Sequence, residues 1–174
     1  MKHPAILLLS LLMAMPAALH AQKKLVDKRE QASGWYVPVT FRVTAHRGKA
    51  KPVLVQVYKD NKLIHAIPGS SDKFTLNLDL DNDYTVVIGK EGYRSKSVSM
   101  DTRVPGDLVQ YPAYECAIDL EPAGLFTNSD PFYADFPSAL VRWDDGAKGF
   151  FPHPGYLVDI QSKMAMLQVQ MDPR

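Results

Sequence analysis

A single cysteine, Cys116, in a chain of 174 residues cannot form a bridge within its own chain, so a disulfide scaffold is excluded in any compartment. Charge of one sign is equally scarce. The 20 basic residues stand against 19 acidic ones, a formal net charge of +1, which offers no electrostatic footing for nucleic acid or an anionic membrane surface. Phosphate-loop, Gly-x-Ser-x-Gly and His-Glu-x-x-His signatures are missing. His46, His65 and His153 have no zinc-ligand spacing around them. After Ala21 no apolar run approaches the ~20 residues of a spanning helix. On composition and motif, then, no cofactor, metal, nucleic acid or membrane span is expected in the body of the chain.

At the N-terminus, Lys2 precedes an apolar run from Ala5 to Met15, then Pro16 and small residues ending at Ala21. That order is the order of a secretory signal peptide, expected over residues 1–21, and it predicts a secreted, periplasmic or envelope-associated protein. No cysteine follows the run, so a lipid-modified N-terminus is not expected. Residues 22–34 are charged and without period, and read as a leader.

From residue 35 the dominant pattern is alternation. Trp35, Val37, Val39, Phe41 and Val43 share one face of a strand whose Pro38 asks for an edge or a bulge. Val53, Val55 and Val57 line the next strand, which turns at Asp60-Asn61 and returns through Leu63, Ile64 and Ile67. Pro68-Gly69 reads as another turn. Phe74, Leu76, Leu78 and Leu80 alternate with Thr75, Asn77, Asp79 and Asp81, the mark of one buried and one wet face. Tyr84, Val86 and Ile88 repeat it, and after Glu91-Gly92 so do Val98, Met100 and Thr102. Cys116 lies with Tyr114, Ile118 and Leu120 on one side of a further strand, so it is expected to be a small buried hydrophobe. Short strands at this spacing predict a mainly β fold over residues 35–120, an Ig-like sandwich or a barrel.

Residues 121–174 read as an aromatic and proline-rich extension. Ala139, Val141 and Trp143 suggest a short strand, Asp145-Gly146 a turn, and Phe150–Pro154 a link. Leu157, Ile160, Met164, Leu167 and Met171 recur at helical spacing and predict a C-terminal helix packed on the sheet.

Chemistry is harder to find. Asp79, Asp81 and Asp83 invite a calcium loop, but the positions that need glycine and a bidentate glutamate hold Tyr84 and Lys90. Asp135, Asp144, Asp145 and Asp159 would have to supply any carboxylate pair for glycoside hydrolysis. No catalytic residue is therefore assigned. Aromatics near loops are the candidates for binding a protein or a sugar ring: Phe132, Tyr133, Trp143, Phe150 and Phe151.

Three elements, Tyr58–Lys62, Phe74–Leu76 and Lys90-Glu91-Gly92-Tyr93, carry a likeness that spans about fifty residues. Here the chain resembles the carboxypeptidase regulatory-like, transthyretin-like domains of Bacteroidota envelope proteins. The resemblance implies an accessory β-sandwich, without peptidase activity and without zinc-binding residues to carry over. The expectation is a non-catalytic envelope protein that binds another protein through a sheet edge or the aromatic C-terminal region. Carbohydrate or peptidoglycan binding is the alternative, and hydrolysis by C-terminal carboxylates a third reading.

Overall fold

The structure, a computed structural model, describes residues 25–27, 35–46, 48–126 and 136–171, the side chains of 125–126 and 167–171 excepted. The expected signal peptide, most of the leader, and Phe132, Tyr133 and Asp135 lie outside the described residues. The strands are β1 (Leu25–Asp27), β2 (Tyr36–Ala45), β3 (Gly48–Lys49), β4 (Val53–Lys59), β5 (Lys62–Ser70) and β6 (Lys73–Asp79). They continue with β7 (Asp83–Gly89), β8 (Lys96–Asp101), β9 (Gln110–Pro112), β10 (Tyr114–Leu120), β11 (Ala139–Asp144) and β12 (Gly149–Pro152). Helix α1 (Pro154–Met171) follows and packs against β11. The fold is a mainly β sandwich with a C-terminal helix on it.

β2 is the hub of a four-stranded sheet. It pairs antiparallel with β6 over Tyr36↔Asp79 to Arg42↔Lys73, parallel with β10 over Val39↔Tyr114 to Ala45↔Leu120, and briefly with β3. The second sheet runs β12-β11-β8-β7-β4-β5, with β11 joining β8 in parallel. Downstream of Leu120, therefore, β11 and β12 continue the same sheet as the hairpins before it.

The alternation read from the sequence decides which faces meet. Val37, Val39, Phe41 and Val43 of β2, Leu78 of β6 and Cys116, Ile118 and Leu120 of β10 face Val53, Val55 and Val57 of β4 and Tyr84, Val86 and Ile88 of β7 in one core. Each such Val, Leu or Ile fully buried contributes roughly 1.5–3 kcal/mol. Phe41 and Phe74 stack at a centroid distance of 5.2 Å within the same layer. Trp35 departs from the pattern: it stands 57 % exposed just before β2 begins.

The Asp60-Asn61 hairpin turn stands where expected, and several other local expectations change. Asp60 and Asn61 both adopt positive φ, 49° and 63°, as a two-residue type I′ hairpin turn requires. Pro68-Gly69 is not a turn. It lies inside β5, where the register shifts between Val53↔Ser70 and Val55↔Ile67, and Gly69 takes φ 69° to accommodate the extra residue. Phe150–Pro152 is not a link but strand β12, antiparallel to β11. Pro38 sits within β2 one residue before the pairing with β10 begins, where no partner on that side needs its missing N–H. Part of the segment expected as a leader forms β1, which pairs with β9.

Candidate functional site

A sandwich has two flanks where the sheet edges come together, and the described residues close only one of them. On the first flank the β1–β9 ribbon lies beside β12. Tyr111 of β9 is fully buried, and its hydroxyl donates to the carbonyl of Tyr36 at 2.8 Å.

On the opposite flank β5 and β6 run as edges of their sheets, joined across the gap by Ser71-Asp72. The Val43 N–H donates to the Asp72 carbonyl at 2.7 Å and ties that crossing down. At the far end Lys59 bridges the sheets by an ion pair to Asp79 at 3.0 Å, which holds the Lys59 ammonium above its usual pKa. Between these two ties lies a groove of ≈ 330 Å³, walled by Val57, Ile64 and Ile67 on one sheet and by Leu76 and Leu78 on the other. Ile64 and Ile67 are exposed, at 40 % and 39 %.

The two edges differ in what they offer a partner. β5 is broken by two register shifts, at Val57/Tyr58 and Val53/Val55, and carries Pro68 and an exposed Lys62. Bulges, proline and lysine are the devices by which edges refuse further pairing. β6 pairs with β2 through seven successive residues without a shift. Among the described residues β2 is its one ladder partner, and side chains meet backbone groups only at its ends, Ser71 Oγ at the Lys73 N–H and Thr102 Oγ1 at the Asp79 carbonyl, so the stretch from Phe74 to Leu78 offers its other edge to a partner.

The described aromatic candidates, Trp143, Phe150 and Phe151, do not form one surface. Trp143 and Phe150 are register partners in an edge-to-face contact, centroids 5.5 Å apart, directed at the core. Phe150 is 4 % exposed, which removes it from any surface set, and the Trp143 Nε1–H donates to Asp145 Oδ1 at 3.0 Å. Phe151 alternates to the opposite face of the sheet and is 40 % exposed. The described carboxylates among those considered for hydrolysis, Asp144, Asp145 and Asp159, serve local ends. Asp144 accepts the Ala147 N–H, Asp145 accepts from Trp143, and Asp159 pairs with Lys163 one helical turn on.

Asp83 is forked by Arg103 at 2.9 and 2.8 Å, which holds its carboxyl below the usual range, and Asp79 is taken by Lys59. Among the described residues no group of three or more His, Cys, Asp or Glu is placed to hold a metal ion. No described helix is long and apolar enough to cross a membrane.

The groove was not legible in advance. Its residues come from consecutive strands that look alike in sequence, and their assignment to different sheets appears only in the pairing.

No family model matches the chain, and no curated protein matches it. Among solved structures one neighbour is S.CueP, at 14% sequence identity and a TM-score of 0.35, the match covering 51% of this chain and 64% of that one. The match spans a little under two thirds of the neighbour's length, and a likeness of this degree carries no argument about function.

Proposed function

We propose that this chain is a non-catalytic, protein-binding module that takes up an extended segment of a partner along β6, laying its apolar side chains into the flank groove. The observation that carries the reading is the contrast between the edges: β5 is bulged and β6 is regular. A partner strand on β6 gains main-chain hydrogen bonds from the edge and specificity from alternate side chains entering the groove. The leading Lys2-to-Ala21 sequence and the likeness to transthyretin-like envelope domains support placing that partner in the cell envelope, outside the cytoplasm. The sugar-binding alternative loses support from the scattering of Trp143, Phe150 and Phe151 over two faces.

Site-specific photo-crosslinking tests the reading. A crosslinker at Ile64 or Leu76, in cells making the full chain, is expected to capture one discrete partner. Capture is expected to fail when Ile67→Lys puts a charge at the exposed wall of the groove. The same crosslinker at Gln56, on the outer face of the six-stranded sheet, is expected to capture nothing comparable. Equal capture from all three positions, or none from the flank, would count against the proposal.

A further inference from the structure

The outer face of the six-stranded sheet carries a second feature, independent of the flank. Two adjacent rows of side chains run across it from strand to strand. In the first row the Asp60 N–H donates to the Asp83 carbonyl at 2.9 Å, Asp83 pairs in register with Asp101, and the Val141↔Met100 pairing places Arg142 next in line. In the second row Thr85, Ser99 and Leu140 are register neighbours, with the two hydroxyls 3.5 Å apart. His153, which opens α1, donates its backbone N–H to the Leu140 carbonyl at 2.7 Å and so stands at the end of that row. These residues line a cleft of ≈ 530 Å³, within the size range of small-molecule sites.

Its charge is divided. Arg103 forks Asp83 and reaches Asp101 at 3.0 Å, so one guanidinium serves two carboxylates, and Asp60 adds a third beside them. That end is net negative. The other end presents the guanidinium of Arg142 and the imidazole of His153. The His153 Nδ1 accepts the Tyr156 N–H at 3.2 Å, so a neutral ring carries its proton on Nε2, as a donor. One end therefore suits an ammonium and the other a carboxylate.

Spacing selects among zwitterions. β7 and β11 are separated by β8 alone, so Asp83 and Arg142 stand two strand intervals apart, roughly 10 Å. An extended peptide of about three residues spans about 10 Å from end to end. A free amino acid, with its charges on neighbouring carbons, cannot bridge that gap, and Asp101, one interval from Arg142, is engaged by the Arg103 guanidinium and N–H. We propose that the cleft binds a short peptide by both free termini, the ammonium toward Asp60 and Asp83 and the carboxylate on Arg142 and His153. Thr85 and Ser99 supply hydroxyls to the intervening amides, and Leu140 an apolar floor.

Calorimetric titration with trialanine, N-acetyl-trialanine and trialanine amide tests this on the full chain and on two variants, Asp60→Asn and Arg142→Gln. Both positions are exposed, and asparagine tolerates the positive φ of residue 60. Trialanine is expected to bind saturably, and blocking either terminus to weaken it at least about tenfold, the scale of one lost charged contact. Arg142→Gln is expected to abolish the discrimination between acid and amide while keeping that between free and acetylated amine. Asp60→Asn is expected to shrink the second and spare the first. Absence of saturable trialanine binding, indifference to blocking, or variants that weaken all three peptides in parallel would overturn the assignment. Ile67→Lys, the flank variant at an exposed groove residue, is expected to leave trialanine binding unchanged, so the two sites fail or stand separately.

Discussion

Thr102 and Asn82 hydrogen-bond reciprocally: the Asn82 N–H donates to Thr102 Oγ1 at 3.0 Å, and the Thr102 N–H donates to the Asn82 carbonyl at 3.0 Å, which also lies 2.9 Å from Thr102 Oγ1. Thr102 is fully buried, and its hydroxyl also lies 2.7 Å from the Asp79 carbonyl. One side chain thus fixes the turn by which the chain leaves β6 for β7, where Asp81 takes φ 61°. Thr102→Val keeps the shape but strands two backbone groups, and is expected to cost about 1–3 kcal/mol. Urea denaturation should show a lower midpoint at unchanged slope, with Thr102→Ser much closer to wild type.

The Phe41–Phe74 stack is the aromatic joint of the four-stranded sheet. Phe41 is 1 % exposed, so Phe41→Ala is expected to cost about 3–5 kcal/mol, and Phe74→Ala less because its ring is only partly buried. A double-mutant cycle between them should return a coupling of about 0.5–1.5 kcal/mol. A coupling near zero would show that the rings contribute burial alone.

Cys116 supplies a pH dependence. Burial pushes its thiol up to about 11, with partial relief from the Tyr114 hydroxyl. An unfolded thiol ionises near 9, so between those values the native chain holds a proton that the unfolded chain has lost. Stability is therefore full below pH 9 and falls as pH rises towards 11, by an amount on the order of 3 kcal/mol. Comparing wild type with Cys116→Ala over that window isolates the effect, because the variant lacks this part of the slope. The same thiol should resist a maleimide reagent until the protein unfolds.

Asp83 behaves oppositely. The Arg103 fork holds its carboxyl below the usual carboxylate range, so whatever it contributes is present at neutral pH and lost as pH falls through the lowered value. Carboxyl-detected NMR titration should find Asp83 ionising at lower pH than a free side chain. Arg103→Gln should return it towards the ordinary value.

His153 caps α1 through Nδ1, ahead of Pro154 at the first helical position, a residue suited to that place. His153→Ala is expected to loosen the first turn by about 1 kcal/mol. Hydrogen exchange at the Tyr156 amide should report it, with His153→Asn protecting that amide better than alanine does.

Alternation made the core strands readable, because a strand with one wet face has to place an apolar residue at every second position. Val37 to Val43, Tyr84 to Ile88 and Cys116 to Leu120 all land where that rule puts them. Pro68-Gly69 misleads because the same pair that starts a turn also relieves a bulge, and only the pairing with Val53 and Val55 tells them apart. Phe150-Phe151-Pro152 reads as a link because its two rings face opposite ways, one into the core and one out, so no polarity pattern marks the strand. The outer-face cleft was invisible for a different reason. Asp83, Asp101 and Arg142 meet sideways across strands, and lateral register leaves no trace in linear order.

The parallel pairing of β2 with β10 bears on how the chain reaches this state. Thr44 and Asp119, which hydrogen-bond across that pair, are separated by 75 residues. β2 is therefore made early and must wait, holding an unmatched edge, until nearly the whole sandwich has been supplied. Folds dominated by such distant contacts assemble on the slow side, in milliseconds to seconds. During that interval the unmatched edge of β2 is open to misplaced pairing, and a chaperone that shields residues 36–45 would guard it.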